Sequence, residues 1–232
     1  MIYNKGFNPL DFLLFFFSQN SYLFNYYLKN NLVYSMSPII YPQFLGLEFG
    51  FFHVYFFITE KGLKNLEEVI KPFFHYLNLI KNSIDEIEQN IFPNYQKMKI
   101  NKFNYYYNEN RDLNDLTQKF ILNMKKHGME NIFKNDVPDS FDKNLFFKFL
   151  SDNMNIENAI IGLNSNYNIS KIDLLKNYNT KYLKYYGIQY NITNLPQDFI
   201  QLLNKYPVDD EYINVIKLRD LNYYFTNITK TD

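Results

Sequence analysis

Cysteine and tryptophan are absent from the 232 residues, and glycine (7) and proline (8) are scarce. Without cysteine there can be no disulfide, no thiol nucleophile and no thiolate metal site, a usage suited to a reducing compartment. The few glycines form no phosphate-cradling loop of the dinucleotide or P-loop kind. An excess of either charge is also missing, since 24 basic residues balance 24 acidic ones. No global field therefore draws the chain toward phosphate backbones or anionic membranes. The longest strongly apolar run, Phe12 to Phe17, is far shorter than the ~20 residues that cross a bilayer. No small-residue cleavage site follows it, so it reads as a buried helix in a cytoplasmic chain rather than as a signal or anchor.

What the chain has in quantity is phenylalanine (24) and tyrosine (22), so its core must be assembled from large rings. Leu13 to Asn30 reads as one helix, apolar nearly all round at first. Leu32 to Tyr41 reads as extended, with Pro38 and Pro42 confining it to an edge or ending it. Leu45 to Ile58 is so apolar that it is expected as a central strand covered on both faces. Helical spacing then takes over, with Leu63, Leu66, Ile70, Phe73, Leu77 and Ile80 on one stripe behind an N-cap at Thr59. Pro72 should kink or break that helix.

A second long helix is expected over Ser83 to Tyr107, with Ile84, Ile87, Ile91, Tyr95 and Met98 inward and Pro93 interrupting it. Leu113, Leu116, Phe120 and Met124 mark a third, stopped by Gly128. Ser140 caps a fourth that turns Leu145 and Phe149 inward. Asn158 to Leu163 reads as a short strand, and Leu195-Pro196-Gln197-Asp198 opens a last helix. Strands followed by a run of helices and a returning strand predict an α+β fold. Its sheet is largely antiparallel, with helices on one face. Neither a repeat nor a Gly/Ser-rich linker divides residues 1–232, which read as one domain.

Catalytic chemistry is hard to place on these residues. His53 sits in the apolar strand and His75 among helical phenylalanines, both positions of core histidines. His127 and Glu130 are three apart, but Gly128 breaks the helix that would aim them at one metal. A helical zinc-protease motif needs two histidines one turn apart and a glutamate base, and no such spacing occurs. Asp85, Glu86 and Glu88 suit the positive end of a helix dipole. Tyr105-Tyr106-Tyr107 near Lys102 and Arg111 has the look of an aromatic-basic strand binder, but the zero net charge argues against nucleic acid. The sequons at Asn168, Asn191 and Asn227 are expected by chance in so asparagine-rich a chain. The residues name no catalytic group, no metal ligand and no cofactor.

Several segments taken in order carry more information than any one motif. Asn8-Pro9 with Phe12-Leu13 comes first, then Tyr27-Leu28-Lys29, then the strand-to-helix junction Phe49 to Leu63. Phe141-Asp142-Lys143-Asn144-Leu145 follows, with Met154 to Ile161, and last Tyr185-Tyr186-Gly187-Ile188-Gln189-Tyr190 with Leu195-Pro196. Over residues 8–206 this series resembles the second, non-zinc domain of the insulinase-type (pitrilysin-like) zinc metallopeptidases, with 207–232 as a tail.

The resemblance implies a metallopeptidase-like α+β domain that helps wall a peptidase chamber and holds peptide by strand addition at a sheet edge. It implies zinc only in a domain this chain lacks, and so a separate zinc-bearing chain and peptides as partners, with neither nucleic acid nor membrane. By position it carries substrate contact onto Ser18, Gln19 and Asn20 and onto Ile39, Ile40 and Tyr41, where the family has glycine-containing loops. A stand-alone scaffold that keeps the fold without handling peptides is the other reading of the same residues.

Overall fold

The structure is a computed structural model that describes residues 7–17, 21–41, 51–108, 117, 120–121, 124, 129, 138–165 and 179–204. The chain divides into two compact units, one of residues 9–83 and 144–219, the other of residues 1–8, 84–143 and 220–232. Helices combine with two separate antiparallel hairpins, so the mixed α and β character read from the sequence is present.

In the larger unit the expected first helix is two. Helix α1 spans Pro9–Phe16 and α2 spans Tyr22–Lys29. The second has its own N-cap, because the buried Ser21 hydroxyl accepts the Phe24 amide at 3.2 Å. Its far end closes in a Schellman turn. Asn31 takes a left-handed φ of 53°, the Leu32 amide reaches the Tyr27 carbonyl and the Asn31 amide reaches that of Leu28. Asparagine tolerates that conformation better than most side chains do.

Strands β1 (Val33–Tyr41) and β2 (Phe51–Ile58) form the first hairpin, paired from Val33 with Ile58 to Tyr41 with Phe51. A bulge at Tyr34 lets Val33 and Met36, three residues apart, both lie buried on the inner face. Phe52 and Phe56 share that face. Phe52 packs its ring 5.7 Å from Phe17, while Phe56 lies 5.6 Å from Tyr27 and 5.8 Å from Phe73. The opposite face of β2 is not covered in the same way, since Phe51, Tyr55 and Phe57 are exposed, Phe57 by 61%. The expectation of a central strand with both faces buried is corrected. Composition alone cannot separate a doubly covered strand from one that carries rings on its wet face.

Helices α3 (Glu60–Lys64) and α4 (Leu66–Asn82) follow with a break at Asn65 rather than at Pro72. A proline ring removes one i to i−4 bond, yet α4 runs through Pro72 because that turn is buried and held from outside. The Tyr27 hydroxyl donates to the neighbouring Val69 carbonyl at 2.7 Å. Tyr27 is fully buried, so Tyr27→Phe should remove about 1 kcal/mol of stability without changing packing volume. A urea midpoint equal to that of the wild type would show that the bond contributes nothing.

Further along the unit, helix α7 (Lys143–Asn153) buries Phe146 and Leu150, one residue out of phase with the expected Leu145 and Phe149. Ser140 precedes it by three positions and does not start it. The expected strand at 158–163 is a 3-10 turn (Ile156–Asn158) followed by irregular chain with Ile160 94% exposed. Its apolar run has no strand beside it among the described residues. Strands β3 (Asn179–Leu183) and β4 (Ile188–Ile192) then make the second hairpin. Helix α8 (Gln197–Asn204) starts behind Pro196 as read, burying Phe199 and Leu203.

The smaller unit holds α5 (Ile84–Glu86), a π-helical turn (Ile87–Ile91) and α6 (Phe92–Asn108). The Phe92 amide bonds the Ile87 carbonyl, five residues back, just before Pro93. This wider turn absorbs the proline instead of ending the helix. Phe7, Phe92, Tyr95 and Phe141 form its aromatic cluster, with Phe7 and Phe141 edge to face at 5.2 Å. Of the expected third helix, residues 117, 120, 121 and 124 are helical. Leu113, Leu116 and Gly128 lie outside the described residues.

Candidate functional site

The first hairpin is held at its open end by a compact polar junction. The Thr59 hydroxyl accepts the Gly62 amide at 2.9 Å, capping α3, and donates to the Asn31 carbonyl at 2.7 Å. The Thr59 amide donates to the Leu32 carbonyl at 3.0 Å, and Lys61 Nζ to that of Asn30 at 2.9 Å. Three successive carbonyls leaving α2 are thus bonded by the first residues after β2. The hairpin is anchored where β1 begins and β2 ends.

Ile39 and Ile40 lie toward the other end of β1, half-buried, opposite His53 and Phe52, and Tyr41 is the last residue of the strand. Among the described residues β1 pairs only with β2, which leaves its second edge without a strand. Pro38 fits that placement, because proline lacks the donor an interior strand needs. The structure therefore brings three of the six residues carried over by the resemblance onto one strand edge. Ser18, Gln19 and Asn20 lie outside the described residues.

Among the described residues, groups that could do acid-base or metal chemistry do not gather here. His53 sits between the rings of Phe51 and Tyr55, at 5.6 and 5.9 Å. His75 is buried on α4 with Nε2 3.5 Å from the Leu202 carbonyl. His127 is outside the described residues. Among those described, no three His, Asp or Glu side chains could hold a metal ion.

The shifted titrations belong to surface ion pairs elsewhere. A hydrogen bond from Lys64, one turn on, holds the Glu60 carboxyl below its ordinary range. The contribution of that pair is present above the ordinary carboxylate pKa and is lost as pH falls through the lowered one. In the smaller unit Asp85 bonds Lys143 and raises its pKa, so the acidic helix start is a surface pairing site. No helix among the described residues is long and apolar enough to cross a membrane.

The feature that sequence reasoning missed is the second hairpin. Its period-two pattern is short, and the tyrosines and asparagines that form it occur throughout the chain. Gly187, at φ 62° in the connecting turn, is its one local signal.

No family model and no curated protein matches the chain. Among solved structures, the crystal structure of pitrilysin is similar at 22% sequence identity with a TM-score of 0.47. The similarity covers 62% of this chain and 15% of that one.

Proposed function

We propose that this chain is a non-catalytic, insulinase-like metallopeptidase domain whose β1 edge receives an extended peptide. The peptide is either a substrate segment or part of a separate zinc-bearing chain. The observation that carries the reading is a nine-residue strand, Val33–Tyr41, paired on one side only among the described residues. Strand addition draws its affinity from main-chain hydrogen bonds, which suits a site without charged side chains and places little demand on the peptide's sequence. The collinear sequence segments support the assignment to the non-zinc domain. The bulky Ile39 and Ile40, where the family has glycines, restrict the peptide to the edge of β1 rather than its face.

A fluorescent extended peptide titrated with the purified chain tests this. Binding in the range of roughly 10–100 μM is expected. N-methylating alternate amides should abolish binding in one register and spare it in the other, because only every second amide points at the edge. No binding at ~1 mM peptide, or binding indifferent to methylation register, would overturn the proposal in favour of a scaffold without peptide handling.

A further inference from the structure

The β3–β4 hairpin stands largely exposed among the described residues. All five residues of β3 are exposed, as are Gln189 to Ile192 of β4, and among the described residues no third strand joins them. A lone two-stranded hairpin is marginal in water, and a third or fourth strand is what makes such a unit stable.

Chemical class along β4 reads the same in both directions: Ile188, Gln189, Tyr190, Asn191, Ile192 is aliphatic, amide, aromatic, amide, aliphatic. We propose that β4 pairs antiparallel with β4 of a second copy, about a two-fold axis through Tyr190, to make a four-stranded sheet ordered β3-β4-β4-β3. Each position then meets its own kind. Tyr190 faces Tyr190, Gln189 faces Asn191 and Ile188 faces Ile192, like-with-like pairs of the sort that stabilise a ladder.

Parity fixes the register further. The pairings of Lys181 with Tyr190, Leu183 with Ile188 and Asn179 with Ile192 place Asn179, Lys181, Leu183, Tyr190 and Ile192 on one face. The pairings of Thr180 with Asn191 and Tyr182 with Gln189 place these four on the other, where Thr180 Oγ1 lies 2.8 Å from Asn191 Oδ1. Along β4 itself, a register centred on Tyr190 keeps Tyr190 and Ile192 of the two copies on one face, whereas a slip of one residue sets them against Gln189 and Asn191.

Charge also selects the strand. Residues 179–193 contain two lysines, Lys181 and Lys184, and no acid. Pairing through β3 would set lysines close together. Pairing through β4 puts each Lys181 on an outer strand, three strand spacings or about 14 Å from its counterpart. That is beyond the ~8 Å screening length of physiological salt. β4 is the uncharged, proline-free edge of the hairpin, the kind that templates pairing.

The absence of cysteine makes the test direct. The full-length chain, followed by sedimentation between roughly 1 and 100 μM, should pass from monomer to dimer. Under mild oxidation Tyr190→Cys should form a disulfide-linked dimer, because facing positions bring Cβ atoms within reach. Lys181→Cys, on the outer strand, should not. The pair Gln189→Lys with Asn191→Lys, and the pair Gln189→Glu with Asn191→Glu, should each give a monomer alone. An equimolar mixture of the two should recover the dimer. A wild type monomeric throughout that range, or a dimer that persists in both charged variants, would overturn the proposal.

Discussion

Gly62→Ala is expected to cost about 2–3 kcal/mol of stability, although alanine is ordinarily the better helix former. In an unconstrained helix the substitution would gain up to about 1 kcal/mol from propensity. Here a Cβ added to Gly62 would sit 2.1 Å from the Leu32 carbonyl oxygen and 3.0 Å from its carbon. Both atoms are backbone, so no rotamer change relieves the contact. The same oxygen already accepts the Thr59 amide at 3.0 Å. Moving it would disturb the turn that binds α2 to the start of α3. Steric cost therefore exceeds propensity, and the sign reverses.

Gly162→Ala is the matching control, since nothing lies within 4 Å of its added Cβ. It should leave stability unchanged or raise it by about 0.5 kcal/mol through the unfolded chain. Urea midpoints for the two variants decide the matter. A Gly62→Ala protein as stable as the wild type would mean that α3 does not approach the α2 turn this closely.

That junction is also where sequence and structure agree best, for a physical reason. Thr59, Gly62 and Leu63 act through local spacing, and an N-cap followed by a helical stripe is a short-range signal. Pro38 likewise marked β1 as an edge by a property of its own backbone. The features that were not legible depend on what lies across space. The division of the first helix is a local exception, signalled by the polar run Ser18 to Ser21 that ends in the α2 N-cap. The phase of α7 depends on Phe12 choosing Phe146 as its neighbour, which no periodicity in residues 140–153 discloses. The bulge at Tyr34 re-aims Val33 and Met36, hiding a strand pattern that alternation would otherwise show. Of the residues carried over by the resemblance, Ile39 to Tyr41 lie on the strand whose edge character Pro38 signals. The exposure of Phe51 opposite Tyr41 was not legible, because an aromatic strand looks the same covered or bare.

Truncating Phe12 to alanine should cost about 3–5 kcal/mol, the range for a fully buried phenylalanine. Phe12 is fully buried and, among the described residues, has three rings around it: Phe15 at 6.3 Å, Phe16 at 5.3 Å and Phe146 at 5.2 Å. Two of the three belong to its own helix, α1, and can do little to fill the space it leaves. The third stands on α7, more than a hundred residues away, so the Phe12–Phe146 contact ties together the two chain segments of the larger unit. Phe146→Ala should then lose a similar amount, because that side chain is equally buried. The double variant should lose less than the sum by about 0.5–1.5 kcal/mol, the worth of an aromatic pair beyond the area each ring buries. Additive losses in a double-mutant cycle would show that the two rings stabilise α1 and α7 independently. A coupling in the stated range would instead make this pair the fastening between the N-terminal helix and the segment that leads to the second hairpin.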